Sequence, residues 1–124
     1  MAEGKLLVVD DDEDIRELVA RILRKEGYQV QTAGDGEEAM ALIQREPIDL
    51  VVSDVNMPGM DGLSLLKMVK AIAGEIPVVL VTAGGSLDAG MHAIDYGALS
   101  YLSKPVDAAD LKRVVAYGLA QRKK

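Results

Sequence analysis

Short apolar runs alternate with stretches of helical spacing along the whole chain. Lys5–Val9, Gln29–Ala33, Leu50–Ser53, Val78–Thr82 and Ser100–Leu102 have the length and side-chain content of strands. The first, third and fourth are near-continuous apolar runs, the pattern of strands covered on both faces, so they belong at the centre of a sheet. Ile15, Leu18, Val19, Ile22 and Leu23 recur at helical spacing, as do Leu111, Val114, Val115, Gly118 and Leu119. Each set marks a helix with one buried face. Two middle helices are expected over Leu63–Ile72 and Leu87–Tyr96. The helix after the second strand opens with Asp35-Gly36-Glu37-Glu38, a D-x-x-E variant of the capping box, and Asp107-Ala108-Ala109-Asp110 offers a looser start to the last helix. Successive βα units of this kind build a doubly wound α/β sandwich around a five-stranded parallel sheet. Ligands of such sheets bind outside the carboxyl ends of the strands, near the point where strand order reverses.

Composition narrows the function. A chain of 124 residues, 49% apolar and 27% charged, suits one globular domain, and residues 1–124 read as a single unit without linker or repeat. No apolar run approaches the length of a membrane-spanning helix. Twenty acidic side chains against 14 basic ones give a net charge of -6, a field that repels phosphate backbones, so direct nucleic-acid binding is not expected. With no cysteine and one histidine, disulfides, thiolate chemistry and zinc sites of the usual ligand types are excluded. The start MAEGKLLVV lacks the features of a signal peptide, which makes the cytoplasm the expected compartment. His92 lies on an expected helix without a second histidine and receives no role.

The strand ends carry the candidate chemistry. The first strand runs into Asp10-Asp11-Asp12, the third into Asp54, the fourth into Thr82 and the fifth into Lys104-Pro105, all at one edge. Converging carboxylates repel one another unless a cation neutralises them, and a hard divalent ion is the natural neutraliser. Mg²⁺ takes oxygen ligands, keeps several waters and commonly uses one or two carboxylates with a phosphate oxygen. Asp10, Asp11 and Asp54 are then balanced by the ion and Lys104 together. Asp54 is left to act as a nucleophile on phosphorus, as carboxylates do in aspartyl-phosphate intermediates, with Lys104 and Thr82 holding the incoming oxygens. Taken alone, the acidic triplet could equally cap the following helix, and Thr82, Tyr101 and Lys104 are ordinary strand, packing and turn residues. Their combination at one edge carries the reading.

The strings LLVVDDDEDIREL, DLVVSDVNMPGMDG, VVLVTA and SYLSKPV, in this order and spacing, resemble the receiver domain of bacterial two-component response regulators, of the chemotaxis-regulator type. The resemblance implies a flavodoxin-like (βα)5 sandwich with strand order 2-1-3-4-5. It implies that Asp54 accepts a phosphoryl group from a sensor histidine kinase or histidine phosphotransfer protein. Asp11 would bind Mg²⁺, or Mn²⁺, directly, Asp10 mainly through water, and Asn56 through its backbone carbonyl. Lys104, Thr82 and Ala83 would meet the phosphoryl group, with Tyr101 as second member of the switch. The signal would leave through the face of the fourth helix, fifth strand and fifth helix, toward a downstream protein, a fused effector domain absent from this chain, or a second copy in a phosphorylation-dependent homodimer. Asn56 and Gly84, two positions beyond Asp54 and Thr82, would tune hydrolysis. The chain departs from the common pattern at Val106, at Gly84-Gly85, and in Gly97-Ala98-Leu99-Ser100-Tyr101, which lacks the paired acids of the receivers that dimerise in the large winged-helix transcription-factor subfamily.

Other motifs match in part. Asp10-x-Asp12-x-Asp14 begins like a calcium loop but has Ile15 at its glycine position and Arg21 where a bidentate acid belongs. Gly34-Asp35-Gly36-Glu37-Glu38-Ala39 fits G-x-G-x-x-A, yet it follows the second strand and sets three acids where a pyrophosphate would dock. Asp54-x-Asn56 is like the D-x-D nucleophile motif of aspartate phosphatases without its second acid, and Asn56 cannot protonate a leaving group. An autonomous phosphohydrolase is the alternative to a signalling switch.

Overall fold

The computed structural model describes residues 4–57, 59–82, 94 and 96–122. In chain order these form β1 (Lys5–Val9), α1 (Glu13–Lys25), β2 (Gln29–Ala33), α2 (Gly36–Arg45), β3 (Leu50–Asp54), α3 (Gly62–Ile72), β4 (Val78–Thr82), β5 (Ser100–Ser103) and a C-terminal helix (Ala108–Arg122). All strand pairings are parallel, in the order β2-β1-β3-β4-β5. The sandwich and strand order expected from the sequence are therefore found. Residues 83–93, which carry most of the expected fourth helix, lie outside the described residues.

Alternation along the strands sorts the side chains into two cores. Leu7, Val9, Val51, Val78 and Leu80 pack with α2 and α3 on one face, where Leu65, Leu66 and Val69 are fully buried. Leu6, Val8, Leu50, Val52, Val79 and Val81 pack on the other face with Leu23 of α1 and Leu111 and Val115 of the C-terminal helix. Burying each such side chain contributes about 1.5–3 kcal/mol. β1, β3 and β4 are the three inner strands, as their unbroken apolar runs foretold.

Caps fix where the helices begin, and hence where the loops at the sheet edge end. Asp12 accepts from the N–H groups of Asp14 and Ile15, so α1 starts at Glu13, ahead of Ile15, the first residue of the apolar spacing. Asp35 accepts from Glu38 N–H (2.8 Å), and the Glu38 carboxylate turns back to Gly34 N–H (2.8 Å), a capping exchange displaced by one residue. Asp61 caps α3 through Ser64 N–H, and Asp107 receives Asp110 N–H at the start of the C-terminal helix. Each cap contributes about 1 kcal/mol.

Candidate functional site

The strand register brings the acidic residues level. Val9 is paired with Ser53, so Asp10 and Asp54 stand side by side on neighbouring inner strands. Asp54 is paired with Val81 and Thr82 with Ser103, which staggers Thr82 and then Lys104 one residue further out. Asp54 is the last residue of β3, not the first of the following loop, and is only 4% exposed. Asp10 is buried equally, and Thr82 is 1% exposed.

The acidic triplet divides into three jobs. Asp12 caps α1; Asp10 is buried, with Oδ1 accepting from Asp12 N–H (2.9 Å); Asp11 is exposed. One carboxylate oxygen from each of Asp10, Asp11 and Asp54 lies within 4.8 Å of the other two. Three acidic oxygens so close, two of them on buried side chains, fit a hard divalent cation with room for water in its coordination sphere.

Lys104 reaches across β4 to both buried acids: its Nζ is 3.3 Å from Asp54 Oδ2 and 3.6 Å from Asp10 Oδ2. Its own N–H donates to Thr82 O (2.7 Å), tying β5's exit to β4's end, and the Lys104–Pro105 peptide is cis. Burial pushes the Asp10 carboxyl above its ordinary value; the Asp12 N–H opposes this, the charge of Asp54 adds to it, Lys104 opposes and Asp11 adds. Burial would lower the pKa of Lys104, but the charges of Asp10 and Asp54 and its hydrogen bonds to them outweigh it, and the ammonium is held above its ordinary value.

The remaining expected residues fall as follows. Asn56 is exposed in the loop after β3, which is anchored by buried Met57 and closed by Gly62 N–H donating to Val55 O (2.8 Å). Tyr101 on β5 is half-buried against the core of the α2–α3 face. It also lines a cleft of about 460 Å³ with Lys104, Asp107 and Asp110. Ala83 and Gly84 lie outside the described residues, as does His92.

Three contributors were not singled out from the sequence. Buried Ser53 donates its hydroxyl to Asp54 O (3.0 Å), and Arg16 Nη1 donates to Asp10 O (3.0 Å). A Cβ on Gly62 would stand 2.3 Å from Asp54 O and 2.8 Å from Val55 Cα, so only glycine fits where α3 starts against the end of β3. A glycine directly after a capping Asp, where a helix former would ordinarily serve better, was the available signal for the last of these.

Comparison with known proteins agrees with this geometry. Residues 6–116 match the family model described as response regulator receiver domain. The chain is 39% identical over 115 residues to sporulation initiation phosphotransferase F of Bacillus subtilis, covering 93% of both chains. It is 38% identical over 122 residues to the response regulator protein PilR of Pseudomonas aeruginosa, covering 98% of this chain but 27% of that one. Among solved structures, a receiver domain protein from Clostridium thermocellum superposes with a TM-score of 0.92 at 32% identity, over 97% of each chain. The receiver domain of NtrX from Brucella abortus gives 0.90 at 39% identity, over 93% of this chain and 98% of that one. Shared fold, sequence match and a level row of acids facing one lysine lead to one conclusion: the chain belongs to the response regulator receiver domain family, the phosphorylation-activated switches of two-component signalling.

Proposed function

We propose that Asp54 is the phosphoacceptor. The observation that carries this reading is the placement of its carboxylate at the end of an inner strand, 4% exposed, with Lys104 Nζ 3.3 Å from one oxygen. A carboxylate oxygen of Asp54 attacks the phosphorus of a phosphohistidine on a sensor histidine kinase or histidine phosphotransfer protein. The new O–P bond forms as the N–P bond breaks, and the imidazole nitrogen leaves with the electron pair. Phosphoryl transfer of this kind depends mainly on positioning and on neutralising the equatorial oxygens. Lys104 supplies one positive contact, Thr82 at the end of β4 supplies a hydroxyl donor, and Ala83, the next residue in the chain, is assigned a donor's part by the family pattern. Asp10, Asp11, Asp54 and the Asn56 carbonyl would hold Mg²⁺ or Mn²⁺, which when bound would offset the charge of the carboxylates and of the transferring group.

The chain then acts by changing what it binds rather than by turnover, since the position two beyond Asp54 offers an amide where an aspartate phosphatase needs an acid. Thr82 shifts toward the phosphoryl group and half-buried Tyr101 follows. The change is read on the face formed by the expected fourth helix, β5 and the C-terminal helix, by a downstream protein or a fused effector domain. Residues 1–124 make one receiver unit working in the cytoplasm, and among the described residues no helix is long and apolar enough to cross a membrane. Asn56 and Gly84 set the lifetime of the phosphorylated form.

Acetyl phosphate with Mg²⁺ tests the assignment by intact mass. The parent should gain one phosphoryl group and Asp54→Asn none; full labelling of that variant would overturn it.

A further inference from the structure

Asp10 is held at four atoms. Its N–H donates to Ala33 O (3.2 Å), its carbonyl accepts from Arg16 Nη1 (3.0 Å), Oδ1 accepts from Asp12 N–H (2.9 Å) and Oδ2 faces Lys104 Nζ (3.6 Å). The carbonyl is the informative one, because it belongs to the peptide that joins Asp10 to Asp11. Fixing that oxygen fixes the plane of the peptide and so the direction in which Asp11 leaves it. Among the described residues nothing hydrogen-bonds the Asp11 carboxylate, so the backbone beneath it is what aims it at Asp10 and Asp54.

Arg16 stands against the electrostatic grain of its helix. α1 carries Glu13 and Asp14 in its first turn and Arg24 and Lys25 in its last, as the helix dipole favours, whereas Arg16 places a cation near the N-terminus. Its guanidinium is also confined from the far side: a Cβ on Gly34 would lie 3.3 Å from Nη1, and Gly34 N–H is itself held by Glu38. Two residues on, a Cβ on Gly36 would lie 2.8 Å from Met60 Cβ, in the loop that carries Asn56. The Gly34–Gly36 turn, whose glycines resemble a nucleotide-binding fingerprint, thus lies against Arg16 at one end and Met60 at the other.

We propose that Arg16, backed by the Gly34–Gly36 turn, is a positioning residue of the divalent-cation site: it sets cation affinity by holding the Asp10–Asp11 peptide. This rests on the metal-site reading above. Charge and positioning predict opposite signs, which makes the proposal testable. Removing a cation near an acidic site should by electrostatics alone tighten Mg²⁺ binding. Loss of an orienting partner behind metal ligands weakens it, typically about 10–100-fold.

Mg²⁺ affinity is read from the rise in melting temperature across a titration, in the absence of phosphodonor, for the parent, Arg16→Met, Arg16→Lys and the exposed same-helix control Arg21→Met. Arg16→Met should bind about tenfold more weakly. Arg16→Lys, which keeps the charge but loses the fork, should fall between, and Arg21→Met should equal or slightly exceed the parent. In chelator, amide exchange at Asp12 should quicken in Arg16→Met. Unchanged or tighter binding by Arg16→Met overturns the proposal; should that variant not fold, unchanged binding by Arg16→Lys does the same. A parent with no Mg²⁺ response at all overturns the metal-site reading, and the proposal with it.

Discussion

Lys104 Nζ lies 3.3 Å from Asp54 Oδ2 although β4 separates their strands, so one flexible side chain spans the site and supplies a positive charge between two buried carboxylates. The contact is charge-assisted and shielded from solvent on the acidic side, where electrostatic interactions are less screened than at the surface. Lys104→Met should therefore leave Asp54 as the acceptor but slow its labelling by acetyl phosphate about 100-fold, the usual cost of losing one preorganised donor at a centre of developing charge. The rate is read by single-turnover mass spectrometry, and a rate within a factor of a few of the parent would remove Lys104 from the phosphoryl-binding set.

Asp10 and Lys104 govern stability without a divalent ion. Asp10 is raised in the fold, so the native state binds its proton more tightly than the unfolded chain does. Its favourable contribution is complete below the ordinary value of 3.8 and is lost as pH rises through the raised value. Lys104, also raised, stabilises fully below 10.5 and loses its contribution as pH climbs through its own raised value. Between these windows the ionised Asp10 is a net cost. Asp10→Asn keeps the Oδ1 acceptor for Asp12 N–H while deleting the charge, and should melt several degrees above the parent in chelator at pH 7.5. The gap should close below about pH 4, where Asp10 of the parent is protonated too. A variant that melts at or below the parent at pH 7.5 would show that the charge is already compensated.

What the sequence made legible follows from what its patterns encode. Inner parallel strands must be apolar on both faces, so Leu6–Val9, Leu50–Val52 and Val78–Val81 announce themselves, and each polar residue ending such a run marks the sheet edge. Asp10, Asp54 and Thr82 were singled out in that way, and Lys104 by its place just past the edge strand β5. Which member of Asp10-Asp11-Asp12 caps α1 was not legible from the pattern, because all three could do so and only the chain's path shows that Asp12 does. Arg16 and Ser53 escaped for a related reason: their partners are backbone carbonyls, which every residue carries and no sequence pattern marks. Met60 packing over Gly36 joins residues far apart in the chain and is visible only once the loops are side by side.

Asp11 is exposed like Asp12, but among the described residues its carboxylate accepts no hydrogen bond, unlike those of Asp10 and Asp12. Mg²⁺ should stabilise the parent by mass action, with a melting temperature that keeps rising into the millimolar range. Asp11→Ala should lose most of that rise while melting no lower than the parent in chelator, since it also removes one of three mutually repelling carboxylates. An undiminished Mg²⁺ response in this variant would place the ion away from Asp11.

Gly62 offers a test in which the sign alone decides. At an unstrained helical position, replacing glycine by alanine stabilises a protein by about 0.4–1 kcal/mol through the entropy of the unfolded chain. Here the added methyl would meet Asp54 O at 2.3 Å and Val55 Cα at 2.8 Å, both backbone atoms that no rotamer change can move aside. Relief requires α3 to withdraw from the end of β3, which breaks the Gly62 N–H to Val55 O hydrogen bond and disturbs the apolar contacts of Leu65 and Leu66. Overpacking of this kind costs about 1–3 kcal/mol, and the loss of the hydrogen bond adds about 1 kcal/mol. Gly62→Ala should accordingly lower the urea midpoint by an amount equivalent to about 3 kcal/mol, with an unchanged slope. Ser64→Ala, two residues along on the exposed side of α3, should leave it nearly unmoved. Because the clash is with the carbonyl of Asp54 itself, Gly62→Ala should also slow labelling by acetyl phosphate under conditions where it remains folded. A stabilised variant with parental labelling would mean that the end of β3 can yield, and that the close approach of Gly62 does not position the acceptor.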